Sequence, residues 1–186
     1  MRVISGKAKG RQLKSVPGDT TRPITDRTKE ALFNIIGADI EGASFLDCFA
    51  GTGSVGIEAL SRGAAFVRFY DLNRKAIQTI QENLRLTGLG KHAQVIQADV
   101  LRELERPADC SFDYVYVAPP QYHRLWIKTL EVIERNIGWL AQDAWCVVQI
   151  HPLEYENLAE SRLLQQLVEF ERRKYGSTLL VFYNRP

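Results

Sequence analysis

From residue 44 onward the chain alternates short β-forming runs with amphipathic helical stretches, and few folds satisfy that pattern. "SFLDCFA" (44–50) reads as a strand, "SVGIEALSRG" (54–63) as a helix and "AAFVRFYD" (64–71) as a strand. "NRKAIQTIQENLRLTG" (73–88) is a helix closed by Gly88, and "AQVIQAD" (93–99) is a strand. "SFDYVYVAP" (111–119) is a strand, "HRLWIKTLEVIERNI" (123–137) a helix and "AWCVVQIH" (144–151) a strand. These strands are nearly continuous apolar runs, so both their faces must be buried. That predicts an α/β fold built on a mainly parallel sheet covered on both sides. The end departs from the pattern. "LLQQLVEFERRKYGSTLLVFYN" (163–184) reads as two strands turning at Tyr175-Gly176-Ser177, a terminal antiparallel hairpin at the sheet edge.

A different segment precedes this body. "RVISGKAKGRQLKSV" (2–16) has short extended pieces broken by Gly6 and Gly10, the pattern of a basic hairpin, and "PGDTTRP" (17–23) is a loop. "TDRTKEALFNIIGADI" (25–40) places Ala31, Leu32, Ile35 and Ile36 behind a Thr25/Asp26 cap, which predicts an amphipathic helix. The expected division is a basic β-hairpin extension over residues 1–22 and one main domain over 23–186. Charge follows the same division. Of 24 basic and 22 acidic residues, eight and three fall in the first thirty, leaving 16 and 19 for the remainder. A basic arm on a mildly acidic body suits a polyanionic partner, although a solvated tail has the same composition.

At 186 residues and 45% hydrophobic the chain can bury the core of one domain with a small appendage. No run approaches the roughly 18 apolar residues of a membrane span, and the basic start lacks an apolar leader, so a cytoplasmic protein is expected. Cys48, Cys110 and Cys146 are odd in number and widely spaced, as reduced core residues are. His92, His123 and His151 share no spacing for a metal or a catalytic triad; they read as surface or loop residues, and no metal is expected.

The chemistry concentrates in two places. "FLDCFAGTGSVGIEAL" sets Gly51-x-Gly53-x-x-Gly56 between a strand and a helix, where glycines let the chain turn tightly and expose main-chain N–H groups to a ligand. Asp71 ends the next strand 20 residues after Gly51 and can accept hydrogen bonds from ribose hydroxyls. NAD and S-adenosylmethionine both carry a ribose there, and a strand-turn-helix that holds nothing has the same signature. Asp47 separates them. Beside a pyrophosphate its carboxylate adds repulsion, whereas beside the α-ammonium of S-adenosylmethionine it is a counter-charge. A nicotinamide oxidoreductase is therefore the weaker alternative. Asp99, ending "IQAD", can meet the adenine edge of such a cofactor or simply cap the helix that follows. The second place is "VYVAPPQY" (115–122), an apolar strand that stops at Pro119-Pro120. Its carbonyls and the aromatic Tyr122 can frame a flat, amine-bearing base, and Ala118 stands where a polar acceptor would be wanted.

"RVISGKAKGRQL", "RPITDRTKEALFN", "DCFAGTGSVGIEALSRGA" and "VYVAPPQY" occur in the order seen in the RsmD family of bacterial 16S rRNA guanine-N2 methyltransferases, which the chain resembles from Arg2 to about residue 151. The first two motifs are rather specific to that family; the glycine loop is shared with class I methyltransferases at large. The resemblance implies a seven-stranded Rossmann-like sheet with an N-terminal β-hairpin that engages RNA. It implies that Gly51 and Gly53, with neighbouring backbone at Phe49 and Ala50, cradle the methionine part of S-adenosylmethionine. Asp71 and Leu72 then hold the ribose side, and Asp99 and Val100 the adenine side. The substrate it implies is a flipped-out guanine of the small ribosomal subunit or an assembly intermediate of it, acted on by a monomer.

One position departs from the family. The fourth strand there ends in Asp or Asn, then Pro-Pro, then Phe or Tyr; here Ala118, Pro119 and Pro120 are followed by Gln121 before Tyr122. A purine's exocyclic amine is a poor nucleophile until its hydrogens are held and its lone pair is freed from the ring. Prolines fix φ and remove competing donors, and an aromatic can stack on the base. Alanine supplies no side-chain acceptor, and a positioned polar group is worth about 10²–10⁴ in rate. Three readings stand. Backbone carbonyls at Ala118 and Pro119, with the Gln121 amide, replace the acceptor; or the chain is a silent paralogue or inactivated variant that still binds cofactor and RNA; or the substrate is not an amine. On the RNA side Arg2, Lys7, Lys9, Arg11 and Lys14 can line a phosphate track, with Arg22 and Arg27 nearer the pocket.

Overall fold

The computed structural model describes residues 1–18, 24–120, 124–156 and 164–186. It divides into two compact units, Met1–Val100 and Leu101–Pro186.

In the first unit the sheet runs β3-β2-β1, with β1 at Ser44–Asp47, β2 at Phe66–Asp71 and β3 at Ala93–Gln97. All neighbours are parallel: Phe45 pairs with Val67, and Phe69 with Val95. β1 is shorter than its apolar run suggests. At Cys48 the chain leaves the sheet, Ala50 N donating to the Tyr70 carbonyl (2.9 Å) and Gly53 N to the Ala50 carbonyl (2.7 Å). The helices obey their capping signals. α1 (Asp26–Ile36) starts at Thr25, whose hydroxyl oxygen accepts from Thr28 N at 3.1 Å. The four residues after it, Gly37–Ile40, form a 3-10 turn where the sequence suggests continued helix. α2 (Ser54–Ser61) is buried at every position. α3 (Arg74–Thr87) starts at an Asn73 cap, and it ends, as its sequence predicts, at Gly88, which takes the left-handed conformation.

Residues 1–16 double back on themselves through an antiparallel bridge, Arg2 to Gln12. Val3, Ala8, Leu13 and Val16 are buried, so this basic arm is packed down along its apolar residues while its cations face out.

The second unit carries β4 (Phe112–Val117), β5 (Leu140–Ile150), β6 (Val168–Tyr175) and β7 (Thr178–Asn184) in the order β4-β5-β7-β6. β4 and β5 are parallel; β7 runs antiparallel to both β5 and β6, which is the terminal hairpin read from the sequence. β5 begins four residues early, because Asp143 takes φ 59° and lets the strand bulge past β4 between the Phe112 and Tyr114 pairings. α5 (Leu125–Arg135) buries Trp126, Leu130 and Ile133. Two five-residue helices, α4 (Val100–Leu104) and α6 (Pro152–Glu156), complete the elements. The seven strands follow the order β3-β2-β1-β4-β5-β7-β6, the doubly wound α/β pattern with an antiparallel edge.

None of the three cysteines is in a disulfide; Cys48 and Cys146 are buried as expected, but Cys110 is half-buried. Among the described residues no helix is long and apolar enough to cross a membrane.

Candidate functional site

The glycine loop joins β1 to α2. Gly51 and Gly53 have φ of 53° and 75°, values that favour glycine. A Cβ on Gly51 would meet nothing within 4 Å, so one side of the loop is open to an approaching ligand. Gly56 serves packing instead. A Cβ there would lie 2.3 Å from the Phe69 ring, so the third glycine lets α2 seat on β2.

Asp47, at the end of β1, is buried. One oxygen, Oδ2, accepts from Gly56 N at 3.3 Å, while Oδ1 is the only buried side-chain nitrogen or oxygen among the described residues without a hydrogen-bond partner. Burial pushes its pKa from 3.8 up to about 7; the Gly56 N–H opposes that rise and the Asp71 charge adds to it. An unpaired carboxylate oxygen in such a place is costly unless a donor or cation arrives.

Asp71, at the end of β2, accepts from Gly51 N (2.8 Å) through Oδ2 and from Asn73 N (2.8 Å) through Oδ1. It therefore braces the glycine loop and the start of α3 together, and a carboxylate with about four acceptor positions keeps room for ribose hydroxyls. Leu72 beside it is 69% exposed, an apolar surface unusual for its size. Phe49 is half-buried and Ala50 buried in the loop. Asp99 is half-buried immediately ahead of α4, and Val100 is buried at the start of that helix. Asp47, Gly51, Gly53 and Asp71 are thus gathered around one turn. The donor set fits a cofactor with a cationic amino-acid end and a ribose: Asp47 Oδ1 lacks a partner and the Gly51 side is open.

In the second unit β4 ends at Val117, and Ala118 is half-buried, Pro119 buried and Pro120 exposed. Gln121 and Tyr122 lie outside the described residues.

Of the arm's cations, Lys7, Lys9 and Arg11 are exposed, as is Arg27 on α1. Arg2 is paired with Asp26 at 3.5 Å and Lys14 with Glu82 at 3.0 Å, so both already face a carboxylate; exposed pairs of this kind are weak and exchangeable. Arg22 lies outside the described residues.

Sequence reasoning missed the residues that fasten the arm. Glu58 on α2 has no exposed side-chain surface; it accepts from Ile4 N (2.8 Å), Ser5 N (3.0 Å) and Arg62 Nε (2.8 Å). Lys29, equally buried, donates to the Arg2 carbonyl at 2.8 Å and lies 3.7 Å from Glu58. Burial lowers its pKa against the pull of Glu58. Ser61 Oγ accepts from Ala8 N (2.9 Å) and donates to the Ser5 carbonyl (2.5 Å). The available signal was a lone glutamate inside the apolar "VGIEAL", where a charge requires partners.

Doubly wound strand order, a glycine turn after β1 and carboxylates ending β1 and β2 define a class I methyltransferase, the class that uses S-adenosylmethionine. The chain matches the Conserved hypothetical protein 95 family over residues 1–184, and it belongs to that family. It is 42% identical over 187 residues to the "Putative rRNA methyltransferase YlbH" of Bacillus subtilis, covering 100% of this chain and 99% of that one. It is 36% identical over 149 residues to the "Ribosomal RNA small subunit methyltransferase D" of Escherichia coli strain K12, covering 80% and 74%. Among solved structures, the "Putative methyltransferase yhhF from Escherichia coli" superposes with a TM-score of 0.85 at 32% identity, over 100% of this chain and 97% of that one.

Proposed function

We propose that this chain transfers a methyl group to the exocyclic N2 of a guanine in small-subunit rRNA, acting in the cytoplasm as a monomer. The observation that carries the reading is Asp47 Oδ1, a buried, unpartnered carboxylate oxygen beside an open glycine turn. S-adenosylmethionine supplies an electrophilic methyl group when bound. Asp47 neutralises its ammonium, the Gly51–Gly53 backbone follows its methionine chain, and Asp71 accepts from its ribose. Leu72 and Val100 present apolar surface to the adenine, with Asp99 at its edge. The substrate class comes from kinship: the relatives matched over most of the chain carry rRNA methyltransferase names.

For the guanine, the carbonyls of Ala118 and Pro119 and the amide oxygen of Gln121 accept the two amine hydrogens, and Tyr122 stacks on the base. Neither proline has an N–H to compete for those carbonyls. Residues 1–22 form the RNA-binding extension and 23–186 the methyltransferase domain, with Lys7, Lys9, Arg11, Arg22 and Arg27 on phosphates and Arg2 and Lys14 joining when their carboxylates are displaced. A second reading, a silent protein that binds cofactor and RNA, is favoured by one observation: Ala118 brings no side-chain acceptor.

The test is transfer of labelled methyl to small ribosomal subunits or their rRNA by this chain and by Ala118→Asp, with nucleosides identified by mass spectrometry. N2-methylguanosine made by the unaltered chain supports the proposal. Product from the Asp variant alone supports the silent reading. Methylation of another base atom overturns the guanine-N2 assignment.

A further inference from the structure

Asn83 belongs to α3 and is fully buried, with no part in the chemistry proposed above. Its amide makes three hydrogen bonds to two separate pieces of main chain. Oδ1 accepts from Lys14 N at 2.8 Å, and Nδ2 donates to the Lys14 carbonyl at 3.1 Å, so the side chain pairs with that residue as a neighbouring strand would. The second hydrogen of Nδ2 goes to the Thr52 carbonyl at 2.9 Å. Thr52 lies between Gly51 and Gly53. Its hydroxyl also reaches the Met1 sulfur at 3.6 Å, and the Met1 carbonyl accepts from Leu13 N at 3.1 Å. Both ends of the basic arm therefore close on the tip of the glycine turn, with Asn83 as the connection.

Only an amide can do this at that length. Aspartate would face two carbonyls with acceptors, and leucine would take these partners from Lys14 N, the Lys14 carbonyl and the buried Thr52 carbonyl. Elsewhere the arm is fastened to the far end of α2 by Glu58 and Ser61, which sit away from the turn. Asn83 is the place where an arm movement is transmitted to a peptide of the turn.

We propose that Asn83 is a positioning residue that couples RNA binding on residues 1–14 to cofactor binding at Gly51–Gly53. This rests on the function proposed above. A ligand that orders the turn orders the Thr52 carbonyl, hence Asn83, hence Lys14, and the arm presents its cations to phosphate in one arrangement. The linkage is reciprocal: whatever factor the cofactor adds to RNA affinity, RNA adds to cofactor affinity.

The test measures S-adenosylhomocysteine affinity with and without small ribosomal subunits, and retention on those subunits with and without S-adenosylhomocysteine. Each pair of measurements should give the same ratio, about fivefold or larger, and Asn83→Ala should bring it toward one. A measurement on the unaltered chain accompanies this in case the variant does not fold: exchange of the Lys14 amide proton should slow when S-adenosylhomocysteine binds. Both ligands binding with a ratio of one, or Lys14 exchange indifferent to S-adenosylhomocysteine, overturns the coupling and leaves the function standing. An Asn83→Ala protein that folds and keeps the full ratio also overturns it. Failure of either ligand to bind overturns the function, and the coupling with it.

Discussion

Replacing Asp47 with asparagine removes one charge and almost no volume, and the structure fixes what should follow. The ordinary carboxyl pKa of 3.8 is raised to about 7 in the folded protein, because burial penalises the ion and only the Gly56 N–H at 3.3 Å offsets it. Three units at about 1.4 kcal/mol each make the ionised form about 4 kcal/mol costlier in the folded than in the unfolded chain. The folded state therefore holds the proton more tightly. Asp47's contribution to stability is complete below pH 4, is lost as pH rises toward about 7, and is constant above. Asparagine has no such dependence. In urea unfolding from pH 4 to pH 8 without cofactor, the stability difference between the two proteins should shift by about 4 kcal/mol in favour of Asp47→Asn. Cofactor reverses the preference. Only the carboxylate pairs with an ammonium, so S-adenosylhomocysteine affinity of the unaltered chain should rise about tenfold per pH unit up to about pH 7 and then level. Asp47→Asn should bind 100-fold or more weakly, as loss of a buried ion pair worth about 3–5 kcal/mol requires, and show no such slope. Calorimetry at pH 6 should find about one proton released on binding to the unaltered chain. Parallel pH–stability curves, or equal affinity in the variant, would refute the reasoning.

Three further outcomes follow from the arm and the loop. Neutralising Lys7, Lys9 and Arg11 together should weaken retention on small ribosomal subunits and flatten its log–log salt dependence by about 2, with S-adenosylhomocysteine affinity in the absence of RNA unchanged; an unaltered salt slope removes the phosphate track. Glu58→Gln leaves the Lys29 amine buried without its carboxylate and should cost about 3–5 kcal/mol in a urea titration, whereas a loss below about 1 kcal/mol shows that the pair carries little. Gly56→Ala drives a methyl group into the Phe69 ring, and the overpacking should cost about 1–3 kcal/mol with weaker S-adenosylhomocysteine binding, read by denaturation and calorimetry.

The sheet and the glycine loop were legible because each rests on local signals. Apolar runs buried on both faces announce the strands, Thr25 and Gly88 punctuate helices, and glycines mark a turn whose positive φ values other residues rarely adopt. Asp47 stood out as a candidate by its charge and its place at the strand end just ahead of the glycines, where the structure buries it. Boundaries were harder. Cys48, Phe49 and Ala50 are as apolar as the strand before them, and only tertiary hydrogen bonds turn them away. "LAQD" has no strand pattern, yet it extends β5 because Asp143 tolerates a left-handed backbone. Helices α4 and α6, five residues each, are too short for helical periodicity to register. Lys29, Glu58 and Asn83 were missed for a common reason: each serves backbone distant in sequence, 27, 54 and 69 residues away for Arg2, Ile4 and Lys14. Their one visible mark was polarity on an otherwise apolar helix face.

A crystal structure of the chain with S-adenosylhomocysteine addresses the main claim without recourse to RNA. The amino-acid nitrogen should lie in ion-pair contact with Asp47 Oδ1, the chain of the ligand along Gly51–Gly53 and the ribose on Asp71. A ligand bound with that nitrogen elsewhere, or none bound at saturating concentration, would contradict it.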